Sequence, residues 1–130
     1  MRSGLFSVSY AGLWGQVYLP LESFVEKAGD LGFDAVLFMA KRPHLSPLDY
    51  SEERLNALKE ALDKRGIGTI GVAAYNDFLL ETPSEIPSAE MQLSYIEACC
   101  RLSARLGGSL VRVFTGYERS SEPVIRQWNR

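Results

Sequence analysis

Arg65-Gly66-Ile67-Gly68-Thr69-Ile70-Gly71-Val72 is the stretch that decides the fold. The end of an amphipathic helix meets a glycine, and the glycine leads into a short apolar strand. The same junction recurs at Leu31-Gly32-Phe33-Asp34-Ala35-Val36-Leu37-Phe38 and at Leu106-Gly107-Gly108-Ser109-Leu110-Val111-Arg112-Val113-Phe114. A spacing of roughly 35 to 40 residues is the length of one βα unit. Strands that alternate with helices imply a parallel sheet. In such sheets ligands gather at the carboxyl ends of the strands.

Working outward, strand one is predicted over Leu5–Tyr10, strand two over Ala35–Met39, strand three over Thr69–Ala74 and strand four over Leu110–Phe114. Helix one is predicted over Leu21–Leu31, with Leu21, Phe24, Val25, Ala28 and Leu31 on one face. Gly32 stops it in a left-handed conformation. Ser51 caps helix two, Glu52 and Glu53 suit its positive end, and Leu55, Leu58, Ala61 and Leu62 form its buried stripe before Gly66. Ser88 is the expected cap of helix three, whose inner face reads Tyr95, Ile96, Cys99, Leu102 and Leu106. Residues Ser121 to Arg130 begin a fourth helix, with Pro123 suited only to its first turn. Connections after helices are short and those after strands are long, roughly ten residues, so the long loops share one end of the sheet.

A chain of 130 residues suits one domain, residues 1–130, with a sizeable core. Charged residues make up 23% and the net charge is −2, without a basic block, so no nucleic-acid partner is expected. No apolar run approaches a membrane span, and no signal region precedes strand one, so no membrane partner is expected either. Cys99 and Cys100 are neighbours on a helix and point in different directions, which disfavours a mutual disulfide. Two reduced thiols suit a cytoplasmic protein.

Two parallel folds compete, a doubly wound sheet and a β/α barrel. A dinucleotide-binding domain needs G-x-G-x-x-G after strand one. The loop here reads Tyr10-Ala11-Gly12-Leu13-Trp14-Gly15-Gln16, with no helix directly after it. A phosphate-binding Walker motif is absent, as are acidic residues at the end of strand one. These absences favour the barrel, with strands in consecutive order 1-2-3-4 and helices on one side.

Gly32-Phe33-Asp34-Ala35-Val36, the loop Lys41-Arg42-Pro43-His44-Leu45-Ser46-Pro47-Leu48-Asp49, and Leu106 through Gly116 together resemble the amino-terminal half of xylose isomerase-like TIM barrels. The resemblance runs from about Ser7 to Arg126. It implies an α/β fold built of parallel β/α units of a TIM barrel, with about four strands present, a half-barrel. It also implies a sugar or sugar phosphate isomerase or epimerase acting on a small sugar or polyol by enediolate or hydride-shift chemistry. In such enzymes a divalent metal (Mg, Mn, Co or Zn) is held by Glu, Asp, His and Glu on later strands. This chain is expected to end before those strands, to bind no metal alone, and to be inactive alone. It is therefore expected either to lack a carboxyl-terminal half or to form a homo-oligomer.

The barrel reading places six candidate substrate-binding residues at the strand ends: Tyr10, Trp14, His44, Tyr75, Asn76 and Arg112. Aromatic faces cover the apolar faces of a sugar ring while hydroxyls go to polar groups. Tyr10 and Trp14 follow strand one, and Tyr75 and Asn76 follow strand three. His44, the only histidine, is expected to share one cavity with Tyr10 and Trp14; it reads as a contact to a substrate hydroxyl, as a metal ligand, or as a residue that orders the loop by a hydrogen bond. Arg112 lies inside strand four on the face of Leu110 and Phe114, where a charge is costly unless paired. A structural ion pair inside the barrel is the leading expectation for it, and an anion or substrate contact the other. Glu118 reads as a solvated rim residue. Catalytic groups are not visible in the sequence.

Two other classes compete with the isomerase. One is a non-enzymatic half-barrel that associates with itself through the open edges of strands one and four. The other is an endonuclease IV-like DNA repair enzyme, which a single histidine disfavours, because such a metal cluster needs several.

Overall fold

The computed structural model describes residues 1–118 and 123–128. Four strands, β1 (Gly4–Phe6), β2 (Ala35–Met39), β3 (Gly68–Ala73) and β4 (Leu110–Arg112), form one sheet in the order β1-β2-β3-β4. Every neighbouring pair is parallel. Helices α1 (Leu21–Asp30), α2 (Glu52–Arg65) and α3 (Ser88–Arg105) follow the first three strands, and a short α4 (Val124–Trp128) follows the fourth. Consecutive order is what right-handed βα crossovers produce in a barrel wall. Ser121, Glu122, Asn129 and Arg130, part of the fourth helix expected from the sequence, lie outside the described residues.

The core lies between the sheet and the helices. Phe24, Val25, Val36, Phe38, Leu58, Val72 and Cys99 are fully buried there, with Leu62, Leu102 and Leu106 around them. Side chains alternate along a strand, so the partners of Val36, Phe38, Val72 and Val111 fall on the opposite face. That second face carries Phe6, Leu37, Leu110 and Arg112, none of which joins the core cluster. Arg65, at the end of α2, ties the helix layer together: Nη2 reaches Asp30 at 2.5 Å and Nε reaches Glu26 at 3.2 Å.

Helix ends follow local chemistry. Ser51 Oγ accepts the Arg54 N–H at 3.3 Å, as a cap should. Gly32 and Gly66 stand at φ 79° and 64°, the left-handed region that lets a helix end and the chain turn back into a strand.

Several sequence expectations need correction. Strand one stops at Phe6, and Ser7–Tyr10 form a 3-10 turn. The buried Ser7 hydroxyl accepts the Met39 N–H at 2.8 Å, so a side chain takes the place of the ladder and the backbone is released to turn. Strand four ends at Arg112 rather than Phe114 for a related reason. The Asn76 side chain pairs with the Phe114 backbone where strand three would otherwise have continued. Strand three begins at Gly68 and ends at Ala73. Leu31 is 51% exposed at the end of α1, so it leaves the apolar stripe. Ser88 is the first residue of α3 and caps nothing; Pro87 precedes it, and the Ser88 hydroxyl instead accepts from Thr82 Oγ1 at 3.0 Å.

Candidate functional site

Two clusters form at the carboxyl ends of the strands. The first lies after β1 and β2. Ala11 and Tyr18 bridge the β1 loop back on itself, and the Leu19 N–H donates to the Tyr10 carbonyl at 3.0 Å. Tyr10 packs on Phe24, with ring centroids 6.1 Å apart. His44 is 3% exposed between Tyr18 and Phe24. Its Nε2 lies 3.1 Å from the Leu19 carbonyl. A carbonyl only accepts, so Nε2 carries the proton and donates. Nδ1 is buried without a partner. Burial lowers the His44 pKa, against a weaker opposing pull from the Leu19 and Tyr10 backbone. The imidazole is thus held neutral as a pin between two loops. Trp14 is 71% exposed and its backbone N–H donates to Gln16 Oε1 at 2.6 Å. Tyr10, Trp14 and His44 stand outside the larger cavity after β2, β3 and β4, whose lining includes none of them.

The second cluster lies after β2, β3 and β4 and contains an open cavity of about 600 Å³. Lys41, Tyr75, Asn76, Gln92, Tyr95 and Tyr117 contribute polar or aromatic lining to it. Its floor is built by side chains that imitate backbone. The Asn76 amide, 2% exposed, donates to the Phe114 carbonyl at 2.5 Å and accepts the Phe114 N–H at 2.9 Å. Gln92, on α3, does the same to Asp77, accepting its N–H at 2.5 Å and donating to its carbonyl at 2.6 Å. Tyr95, one helical turn on, donates its hydroxyl to the Ala40 carbonyl at 2.5 Å and accepts the Tyr75 N–H at 3.1 Å. Burial pushes the Tyr95 phenol well above its ordinary value. These three side chains lock the ends of β2, β3 and β4 into one rim. Asn76 therefore acts first as structure, with both faces of its amide already occupied.

Tyr75 stands at the centre of this rim. The Lys41 ammonium lies 4.6 Å from its ring centroid and the Arg112 guanidinium 4.9 Å. Burial raises the Tyr75 pKa, while Arg112 pulls it down. Arg112 also sits 4.0 Å from the Phe114 ring centroid and 5.8 Å from that of Phe6. Its Nη2 donates to the Ala74 carbonyl at 2.8 Å. The expected ion pair is not what holds it: no carboxylate among the described residues meets Arg112. Aromatic quadrupoles and one carbonyl take that role.

Sequence reading missed Lys41, Gln92, Tyr95 and Tyr117 as site residues. Gln92 and Tyr95 carried a signal, because residues three apart share a helix face. A glutamine beside a tyrosine on a face that turns aliphatic further along marks the point where the helix leaves the core for the strand ends.

Among the described residues no group of three or more His, Cys, Asp or Glu side chains comes together to hold a metal ion. The residues present do not fit a divalent metal, whose ligands the resemblance puts on later strands. Cys99 and Cys100 are free; burial pushes the Cys99 thiol up to about 11, which leaves it unreactive. No helix among the described residues is long and apolar enough to cross a membrane.

The architecture has solved counterparts. A D-psicose 3-epimerase from Clostridium cellulolyticum H10, crystallised with D-tagatose, superposes with a TM-score of 0.64 at 23% identity, covering 85% of this chain and 36% of that one. A D-psicose 3-epimerase studied in the presence of D-fructose gives 0.67 at 19% identity, covering 95% and 41%. A xylose isomerase domain protein from Alicyclobacillus acidocaldarius gives 0.66 at 17% identity, covering 98% and 40%. At these identities the likeness is one of fold. The chain spans about two fifths of the length of these neighbours. No curated protein sequence matches it significantly. The family model of the xylose isomerase-like TIM barrel matches residues 25–130, and the chain belongs to that family.

Proposed function

We propose that this chain is the amino-terminal wall of a sugar isomerase or epimerase and binds a small sugar or polyol at the rim after β2, β3 and β4. The observation that carries the reading is the convergence of Tyr75, Lys41 and Tyr117 on one open cavity at the end of the sheet that parallel β/α folds use for ligands. Tyrosine faces suit the C–H faces of a sugar ring, and an ammonium suits its hydroxyls. The epimerase neighbours, crystallised with ketohexoses, favour the same substrate class. Acid–base carboxylates and metal ligands are assigned to the remainder of a complete barrel. Tyr10, Trp14 and His44 are assigned to the outer lip, with His44 as its pin. A reducing, cytoplasmic setting suits the two free thiols.

Titration of the chain with D-fructose, D-tagatose and a polyol, followed by amide chemical shifts, tests the reading. Shifts confined to Lys41, Tyr75 and Tyr117, with no turnover in Mg2+, Mn2+ or Co2+, are the expected result. Shifts centred on Trp14 would move the site to the β1 loop, and metal-dependent turnover would place the chemistry in these four units.

A second reading, a half-barrel that associates with itself, draws on the uncovered sheet face. Leu110 is 46% exposed there, and β1 and β4 are open edges. Sedimentation of a concentration series separates the two readings.

A further inference from the structure

The cavity after β2, β3 and β4 carries more apolar surface than a bare sugar can use. Of its lining, Leu48 is 85% exposed, Met91 62% and Leu80 51%. Three large apolar side chains left in water around one concavity mark a place where something apolar binds.

Most of the polar side chains in the lining are already committed. Asn76 holds Phe114, Gln92 holds Asp77, and the Tyr95 hydroxyl holds Ala40 and Tyr75. Arg42 is paired with Asp49, and the Ser46 hydroxyl accepts the Leu48 N–H at 3.3 Å. Asp77 Oδ1 accepts the Leu79 N–H at 3.0 Å. The Lys41 ammonium and the phenols of Tyr75 and Tyr117 remain to meet hydroxyl groups. A hydroxyl laid against the leucines and the methionine would lose water and gain no partner.

The apolar wall continues past the rim. A second cavity of about 580 Å³ is formed by the loop before α2 and the start of α3, and it shares Leu48, Met91 and Tyr95 with the first. Pro47, Pro87 and Ala98 extend its apolar lining, and Glu90 and Ser94 supply its polar share. Cavities of roughly 300 to 1,000 Å³ enclose ligands the size of a drug molecule. A single sugar ring leaves two adjoining cavities of this size largely unfilled. Met91, unbranched and polarisable, adapts its shape to a flat ring.

We infer that the sugar bound at this rim carries an apolar substituent of the aryl type. The sugar ring lies against Lys41, Tyr75 and Tyr117, and the substituent lies against Leu48, Leu80 and Met91. The inference rests on the sugar-binding reading above and names its substrate class.

The test titrates the full chain with methyl β-D-fructopyranoside, benzyl β-D-fructopyranoside and benzyl alcohol, followed by amide and methyl resonances. The two glycosides differ by one phenyl group. The benzyl glycoside should bind at least ~10-fold more tightly than the methyl glycoside and should shift the methyl groups of Leu48 and Met91. Leu48→Ser combined with Met91→Ser, both at exposed positions, should bring the two glycosides level. Leu93→Ser, at an exposed apolar position of α3 outside both cavities, should keep the difference. Equal binding of the two glycosides by the parent overturns the inference and leaves the sugar reading standing. Benzyl alcohol bound as tightly as its glycoside overturns both. Leu48 and Met91 methyl groups that respond to none of the three compounds overturn the inference. If the parent then sediments as an oligomer and the double variant as a monomer, the apolar patch belongs to a second copy of the chain.

Discussion

The loop ends after β1 and β2 and the loop ends after β3 and β4 both gather aromatic rings around a basic side chain, and they solve the problem of burying it in opposite ways. Around His44 the rings of Tyr18 and Phe24 close over an imidazole that is 3% exposed. Around Arg112 the rings of Phe6, Tyr75 and Phe114 leave a guanidinium half-buried, and of the three rings Tyr75 lines the open cavity. The difference lies in the proton. Histidine sheds its charge when buried, so the protein can seal it in at small cost. Arginine keeps its charge at any accessible pH, so enclosing it demands a partner. The closed cluster holds a group that can go neutral, and the open one holds a group that cannot.

If the first cluster is a sealed part of the core, breaking it should be the most damaging change at this end of the sheet. Phe24 is fully buried and touches Tyr10, Phe38 and His44. Phe24→Ala should cost about 3–5 kcal/mol in urea unfolding, the range for removing a buried aromatic ring. A loss under about 1 kcal/mol would show that the rings around His44 are a loose lid, and the contrast with the Arg112 side would fall.

The second cluster should fail in a different way. Asn76→Ala removes both hydrogen bonds to Phe114 and leaves that residue's N–H and carbonyl without their partner. The expected cost is about 1–3 kcal/mol. Its signature is local: hydrogen exchange at Phe114 should accelerate well before the amides of β2 do. Uniform acceleration over the whole sheet would mean that the rim after β3 and β4 is as integral to the core as the His44 side.

How much of this was legible beforehand differs between the same two regions. The parallel order of the strands followed from the helix–glycine–strand junctions, because Gly32 and Gly66 do end helices in the left-handed region. The buried stripe of α2 was legible because Leu55, Leu58 and Leu62 repeat at helical spacing. The strand ends were not, because side chains stand in for backbone there. Ser7 replaces a ladder bond at β1, and Asn76 replaces one at β4, and neither residue type advertises this in the sequence. Of the candidates the sequence offers, Tyr75 and Asn76 line the cavity after β2, β3 and β4, and Arg112, at the end of β4, packs on Tyr75 without lining it. The partner that makes Arg112 unusual is a missing one, and single residues do not reveal who fails to pair with them. Lys41 joins Gln92 and Tyr95 only after α3 crosses the ends of β2 and β3, and of this meeting the sequence shows only the helical spacing of Gln92 and Tyr95.

The smallest expected effect is a slope with pH, and it reads the proton argument directly. Burial holds the His44 pKa below 6.5 in the folded chain, whereas the unfolded chain titrates near 6.5. Above 6.5 both states carry a neutral imidazole, and the stabilisation from a sealed His44 is complete. As pH falls below 6.5 the unfolded state takes up the proton first, so stability declines until the folded pKa is passed, and this term then levels off. The carboxyls of Asp34 and Asp49 act in a separate, more acidic window. Their hydrogen bonds from Ser3 and Arg42 lower their pKa values from 3.8, so what they contribute is lost only as pH falls below that value. Urea unfolding measured between about pH 7 and pH 5 isolates the histidine term. The parent chain should lose stability across that range, and His44→Gln, whose amide N–H can still donate to the Leu19 carbonyl, should show a flatter profile. If the two profiles run parallel, His44 is not sealed in the neutral form, and the proton no longer distinguishes the cluster after β1 and β2 from the one around Arg112.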